Sequence, residues 1–168
     1  MRAILITICV LTLFTGLAFG EGMPIPMLDP QSHVQFGLPQ GTPESNITIK
    51  REIYTLCNNA QTKFADWVAY VVTAETMAGN ENTKRNWKRD PALPEEATLS
   101  PADYKGASDA LKIDRGHQAP LASFKGTEFW EETNYLSNIT PQAKELNQGA
   151  WVRVENAERD LQSMPRYT

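Results

Sequence analysis

Cysteine is nearly absent from this chain. Of its two cysteines, Cys9 lies in an apolar stretch at the N-terminus and Cys57 stands alone in the remainder. A single thiol cannot close an internal disulfide, so a disulfide-stapled scaffold is excluded, and Cys57 reads as a small buried hydrophobe. Histidine is equally scarce, with only His33 and His117 among 168 residues. An excess of positive charge is missing too. Sixteen Lys and Arg face 20 Asp and Glu, for a net charge of −4. Generic nucleic-acid binders are basic overall, so any phosphate binding here has to come from a local cluster. Beyond the first 20 residues there is no apolar run long enough to cross a bilayer.

That first stretch has the anatomy of a secretory leader. Arg2 supplies the positive start, Ala3 to Leu17 is apolar apart from Thr7, Thr12, Thr15 and Gly16, and Ala18-Phe19-Gly20 places small residues where a signal peptidase reads. Residues 1–20 are therefore expected to be a signal peptide, and the mature chain to be secreted or periplasmic, with no membrane association after cleavage. Removing Arg2 leaves 15 basic against 20 acidic side chains, a net charge of −5. Residues 21–44, rich in Pro and Gly, read as an irregular N-terminal arm, and His33 within it as a solvated side chain. Residues 45–168 form the expected domain.

Within the domain, Asn46 to Asn58 and Ala65 to Thr73 read as two strands joined by a polar turn. Ala74 to Ala110 reads as loop, and contains Lys84-Arg85-Asn86-Trp87-Lys88-Arg89, four cations around one indole. Such a run is either a solvated face or a phosphate-facing patch. Leu111 to Ile113 suggests a short strand leading into Asp114-Arg115-Gly116-His117, where Gly116 would permit a tight or strained backbone. Pro120 to Leu136 reads as loop with one helical turn near Phe129-Trp130. Thr140-Pro141 has the form of a helix start. Ala150, Trp151, Val154, Ala157 and Leu161 fall at helical spacing, predicting a helix from about Asn147 to Gln162.

The polar residues between Asp114 and Glu155 make a poor core and a good site. His117 can exchange a proton near neutral pH. Asn134, Asn138, Asn147 and Glu155 offer oxygen atoms suited to a hard cation, and arginine offers a planar fork that matches phosphate. Metal-assisted phosphodiester cleavage is one reading of that mixture. A secreted globular domain with a structural histidine is the other, and residue types alone do not separate them.

The order of motifs does. Asp114-Arg-Gly-His117-Gln-Ala-Pro120, Asn134-Tyr-Leu-Ser-Asn138-Ile-Thr-Pro-Gln142, Leu146-Asn147-Gln-Gly-Ala-Trp151 and Glu155, with Arg85-Asn-Trp-Lys88 and Asp90-Pro-Ala-Leu93 upstream, closely resemble the DRGH-type DNA/RNA non-specific endonucleases, and among them the secreted Serratia-type members. The likeness runs from Ser45 to Ser163. It implies an α+β fold, a ββα-metal (His-Me finger) nuclease with a central antiparallel sheet, here cut short on its C-terminal side. It also implies a Mg²⁺-dependent hydrolase, in which Mn²⁺ can substitute, that cuts single- and double-stranded DNA and RNA to 5′-phosphorylated products. By motif match, His117 is the expected general base. Asn147 is the expected direct metal ligand, and Glu155 the carboxylate acting on the metal through water. Arg85 is expected to contact the scissile phosphate, and Arg115 to occupy an accessory phosphate or active-site position. Asn134 is expected at a substrate-binding position, and Asn138 at a polar catalytic position that orients His117. Asp114 is expected to be a structural anchor rather than a ligand. A homodimer is left open. The competing expectation is a truncated, non-catalytic member that retains phosphate affinity through Arg85, Lys88 and Arg89.

Overall fold

A computed structural model describes residues 33–79 and 84–164. The expected leader and the first half of the N-terminal arm, residues 21–32, lie outside them. Three strands form an antiparallel sheet in the order β1 (Ile47–Lys50), β2 (Thr55–Asn59) and β3 (Phe64–Ala69). The first expected strand is therefore two. Its alternation breaks at Arg51, where the backbone turns and Arg51 N–H donates to the Tyr54 carbonyl at 2.9 Å. The polar turn falls where expected. Asn59 Oδ1 accepts from the amides of Gln61 (3.0 Å) and Thr62 (3.3 Å), and Lys63 adopts a left-handed φ of 63° that closes the loop. β2 is the central strand and its residues are buried except Asn59.

One face of this sheet carries the main core, built from Ile49, Ile53, Tyr54, Leu56, Ala119 and Phe124 with their neighbours. Cys57 is buried and free, as its isolation predicts. Residues 74–111 hold more structure than their composition suggests. They contain a single turn of helix α1 (Ala74–Met77), short 3₁₀ turns, and α2 (Ala107–Leu111). These segments are too short for an apolar repeat to develop, which is why they read as loop.

The second sheet is a two-stranded ribbon, β4 (Ile113–His117) paired antiparallel with β5 (Ile139–Ala143), so that Arg115 faces Pro141 and His117 faces Ile139. Thr140-Pro141 is thus strand and not a helix start. In a two-stranded ribbon a proline can turn its missing N–H outward. The chain then enters a π-helical turn, Leu146–Trp151, and continues as α3 (Val152–Ser163). The helix predicted from Asn147 is present, but its first six residues are wound more widely than an α-helix. No residue of α3 is fully buried, and Val154 (47%) and Leu161 (61%) of its apolar series are exposed. α3 is fastened through its polar side instead. Tyr70 O–H donates to Glu158 Oε2 at 2.8 Å, and Arg159 Nη1 donates to Ser123 Oγ at 3.3 Å.

Two polar anchors place the rest. The carboxylate of Asp90 is paired with Arg51 and accepts from Ser137 Oγ and from Ala92 N–H. Lys88 N–H donates to the Asn134 carbonyl (3.2 Å), and Leu136 N–H donates to the Lys88 carbonyl (2.9 Å). Together they bind residues 84–90 alongside 134–137. His33 has a structural contact, with Nε2 lying 3.0 Å from the Glu52 carbonyl oxygen.

Candidate active site

β4 ends in the floor of an open cleft of about 670 Å³. Its lining includes Arg85, Trp87, Arg115, His117, Asn147 and Glu155. Arg115 and His117 are two residues apart on one strand, so both side chains leave the same face of the ribbon. The glycine between them has an ordinary φ, since the only positive-φ glycines among the described residues are Gly37, Gly41 and Gly106. The expectation of a strained backbone at Gly116 is corrected here. A Cβ at this position would lie 2.2 Å from the Gln142 side chain of β5, so glycine is required for close packing.

His117 is 8% exposed. Its pKa is pushed down to about 4, first by burial and then by the nearby Arg85 charge, while Asn134 acts in the opposite direction. The ring is neutral at pH 7 and able to accept a proton. Its Nε2 is buried without a hydrogen-bond partner, and so is Oδ1 of Asn134. Asn134 is 1% exposed, outside the cleft lining. It sits among the buried groups around His117, whose pKa it raises.

Asn138 is likewise removed from the cleft. Its Oδ1 accepts from Ala119 N–H at 2.8 Å, and its Nδ2 donates to the carbonyls of Ala119 and Thr133, both at 3.0 Å. Its backbone carbonyl takes the Gln118 amide at 2.9 Å. Every hydrogen bond it can readily make is already internal. It therefore braces the backbone just after His117.

Asp114 orders the opposite wall. Its Oδ2 accepts from Asn147 Nδ2 (3.0 Å) and Gln148 Nε2 (2.8 Å), and these bonds hold its pKa below the usual carboxylate range. Fixing the NH₂ of Asn147 in this way leaves its carbonyl oxygen turned from the carboxylate. Trp151 Nε1 donates to the His117 carbonyl at 3.0 Å and ties the π turn to the end of β4. Four residues apart on this turn, Asn147 and Trp151 share a face and both reach β4. Glu155 follows on α3, half-buried, and burial holds its pKa above the ordinary value, with Glu158 adding to the shift and Arg159 opposing it. Sequence reasoning missed Gln148 and Tyr104 as members of the lining. No motif marked Tyr104, because only the fold carries it to β4.

The basic run divides. Lys88 Nζ pairs with Glu131 at 3.0 Å and Arg89 with Glu95 at 3.2 Å. Arg85 and Arg115 line the cleft and form no ion pair among the described residues.

No cluster of three His, Cys, Asp or Glu occurs among the described residues, so no all-protein metal cage exists there. What the cleft offers is sparser: the oriented amide oxygen of Asn147, the carboxylate of Glu155, and that of Asp114, which two amides already engage. That donor set suits a small hard cation that retains most of its water.

β4, β5 and the helix that follows them, with the histidine at the strand end and the amide on the helix side, form the ββα unit of the His-Me finger nucleases. The chain belongs to the DNA/RNA non-specific endonuclease family, whose pattern matches residues 30–166. It is 54% identical over 146 residues to a nuclease of Serratia marcescens, across 87% of this chain and 54% of that one. It is 33% identical over 113 residues to human mitochondrial endonuclease G, across 66% of this chain and 37% of that one. A crystal structure of EndoG in complex with EndoGI superposes with a TM-score of 0.66 at 25% identity, covering 84% of this chain and 56% of that one. The chain thus spans about half the length of the Serratia relative, and less of the mitochondrial one.

Proposed function

We propose that this chain carries the catalytic centre of a secreted or periplasmic, metal-dependent endonuclease that hydrolyses DNA and RNA, single- or double-stranded, to 5′-phosphorylated products. One observation carries this reading: a neutral, buried His117 shares a cleft with two arginines that form no ion pair among the described residues. Mg²⁺, or Mn²⁺ in its place, would be held by the carbonyl oxygen of Asn147, with Glu155 reaching it through water. Such an ion supplies charge neutralisation at the phosphate and at the departing oxygen. His117 takes a proton from the attacking water as the new P–O bond forms. The bond to the 3′ oxygen breaks, and that oxygen takes a proton from solvent water, leaving a 3′-hydroxyl and a 5′-phosphate. Arg85 and Arg115 bind the non-bridging oxygens and stabilise their growing charge. All these contacts address phosphate, and phosphate contacts carry no base sequence, so low sequence selectivity is expected.

The non-catalytic alternative draws its affinity from Arg85, Lys88 and Arg89. Lys88 and Arg89 are engaged with Glu131 and Glu95, which weakens that reading. The deciding assay is cleavage of supercoiled plasmid and total RNA by residues 21–168, with Mg²⁺ and with EDTA. Cutting should be abolished by EDTA and reduced roughly 10²–10⁴-fold by His117→Ala. Salt-sensitive binding without cutting would establish the alternative instead.

A further inference from the structure

We propose that Trp87 and Tyr104 are positioning residues, an aromatic clamp that holds the Arg115 guanidinium in place at the cleft without neutralising it, with Trp87 also packing against the His117 ring. This inference rests on the nuclease reading above and adds to it the means by which the phosphate-facing cation is kept both fixed and fully charged.

The geometry is specific. The Arg115 guanidinium carbon lies 5.0 Å from the centroid of Tyr104 and 5.6 Å from that of Trp87. The Trp87 ring lies 5.4 Å from the His117 ring at 42° between planes. Trp87 is therefore shared by the two side chains that leave the same face of β4. The clamp is itself supported. Tyr104 is buried beside Leu136 and Ile139, and Trp87 packs on that cluster. Tyr104 O–H also reaches the Ile139 carbonyl, opposite His117 in the ribbon, at 3.4 Å.

Arginines elsewhere in the molecule show why aromatic rings matter here. Arg51 also lies over a ring, 4.6 Å from the Tyr135 centroid, but it is paired with Asp90 and Glu132. Arg89 is paired with Glu95. Those cations have carboxylate partners. Arg115 has no carboxylate partner among the described residues, and its Nε is buried without a hydrogen-bond acceptor. A carboxylate could fix this side chain equally well, but it would compete with phosphate for the same N–H groups. Ring faces attract a cation without offering it a competing acceptor. They leave the planar fork free for a bidentate contact with phosphate.

The test uses Trp87→Leu, Trp87→Phe, Tyr104→Leu and Tyr104→Phe, each checked by far-UV circular dichroism. The ring-retaining Phe variants should stay within about twofold of wild type. The Leu variants should lose roughly tenfold in kcat with little change in KM, since the contact strengthens as charge develops. In an Arg115→Lys background, where stacking is weaker, Tyr104→Leu should cost clearly less than in wild type. Equal losses in both backgrounds would overturn the clamp. A second readout needs no turnover: the ¹H–¹⁵N signal of Arg115 Nε, assigned by its disappearance in Arg115→Lys. Its heteronuclear NOE should fall in both Leu variants and persist in both Phe variants. An unchanged signal in correctly folded Tyr104→Leu and Trp87→Leu would refute the proposal, even if the wild-type chain cut nothing and the nuclease reading itself had failed.

Discussion

At the scale of single residues, the environment of His117 sets how this protein responds to acid. Its pKa is about 4, depressed by burial and then by Arg85, against about 6.5 for a free imidazole. Between those values the unfolded chain binds a proton that the folded chain refuses, so stability falls as pH drops from about 6.5 to 4. The full effect is on the order of 3 kcal/mol. Urea midpoints at pH 7 and pH 4.5 should therefore differ more in wild type than in His117→Asn, where an amide does not titrate. The same electrostatics make a second prediction. Arg85→Ala removes a nearby positive charge, so the His117 pKa should rise. An NMR titration of the ring protons measures this directly, with His117→Asn assigning the signals against His33. A pKa unmoved by Arg85→Ala would separate that arginine from the histidine.

At the scale of elements, the site is assembled by segments that are not strongly regular. Residues 84–90 hold no helix or long strand, yet they deliver Arg85 and Trp87 to the cleft. Asp90 anchors them through Arg51, Ser137 and Ala92. Removing one partner of a buried pair leaves the other uncompensated. Asp90→Ala should accordingly cost about 3–5 kcal/mol in a denaturant melt, and its residual activity should fall further than its folded fraction does. The β4–β5 ribbon depends on close approach at Gly116. Gly116→Ala should cost about 1–3 kcal/mol, because a methyl group at that place must displace the buried Gln142 side chain. A melt unchanged from wild type would mean that Gln142 can leave its place freely. α3 differs from both. It is held chiefly by Tyr70–Glu158 and Arg159–Ser123, and its apolar series faces solvent.

At the scale of the whole molecule, an acidic chain is proposed to act on a polyanion. The structure shows how this is compatible. Two of the four cations of the basic run, Lys88 and Arg89, are paired with Glu131 and Glu95, while Arg85 and Arg115 line the cleft without such partners among the described residues. A local field inside a cleft can attract phosphate against an unfavourable net charge. Because the charges that matter are few, the salt dependence of nucleic-acid binding is expected to be shallow, with a slope of about −2 in log–log form for two phosphate contacts.

The sequence by itself determined the family and named the side chains proposed to react. Ordered short motifs such as Asp114–His117 and Leu146–Trp151 are local patterns that survive without knowledge of the fold. It also located the central hairpin turn through Asn59, the burial of Cys57 and the helix that ends near Ser163. Tertiary structure alone decided which polar residues face the cleft. Asn134 and Asn138 look the same as Asn147 in a sequence, but the first two are buried as internal partners, and only the third is turned to the cleft by Asp114. It decided that Thr140-Pro141 is strand, because pairing with β4 overrides a local helix-start signal. It also brought Trp87 and Tyr104 to either side of Arg115 from separate segments. Contacts between residues distant in sequence leave no mark in local patterning, and in this protein those contacts fix the charge, orientation and solvent exposure of every group at the site.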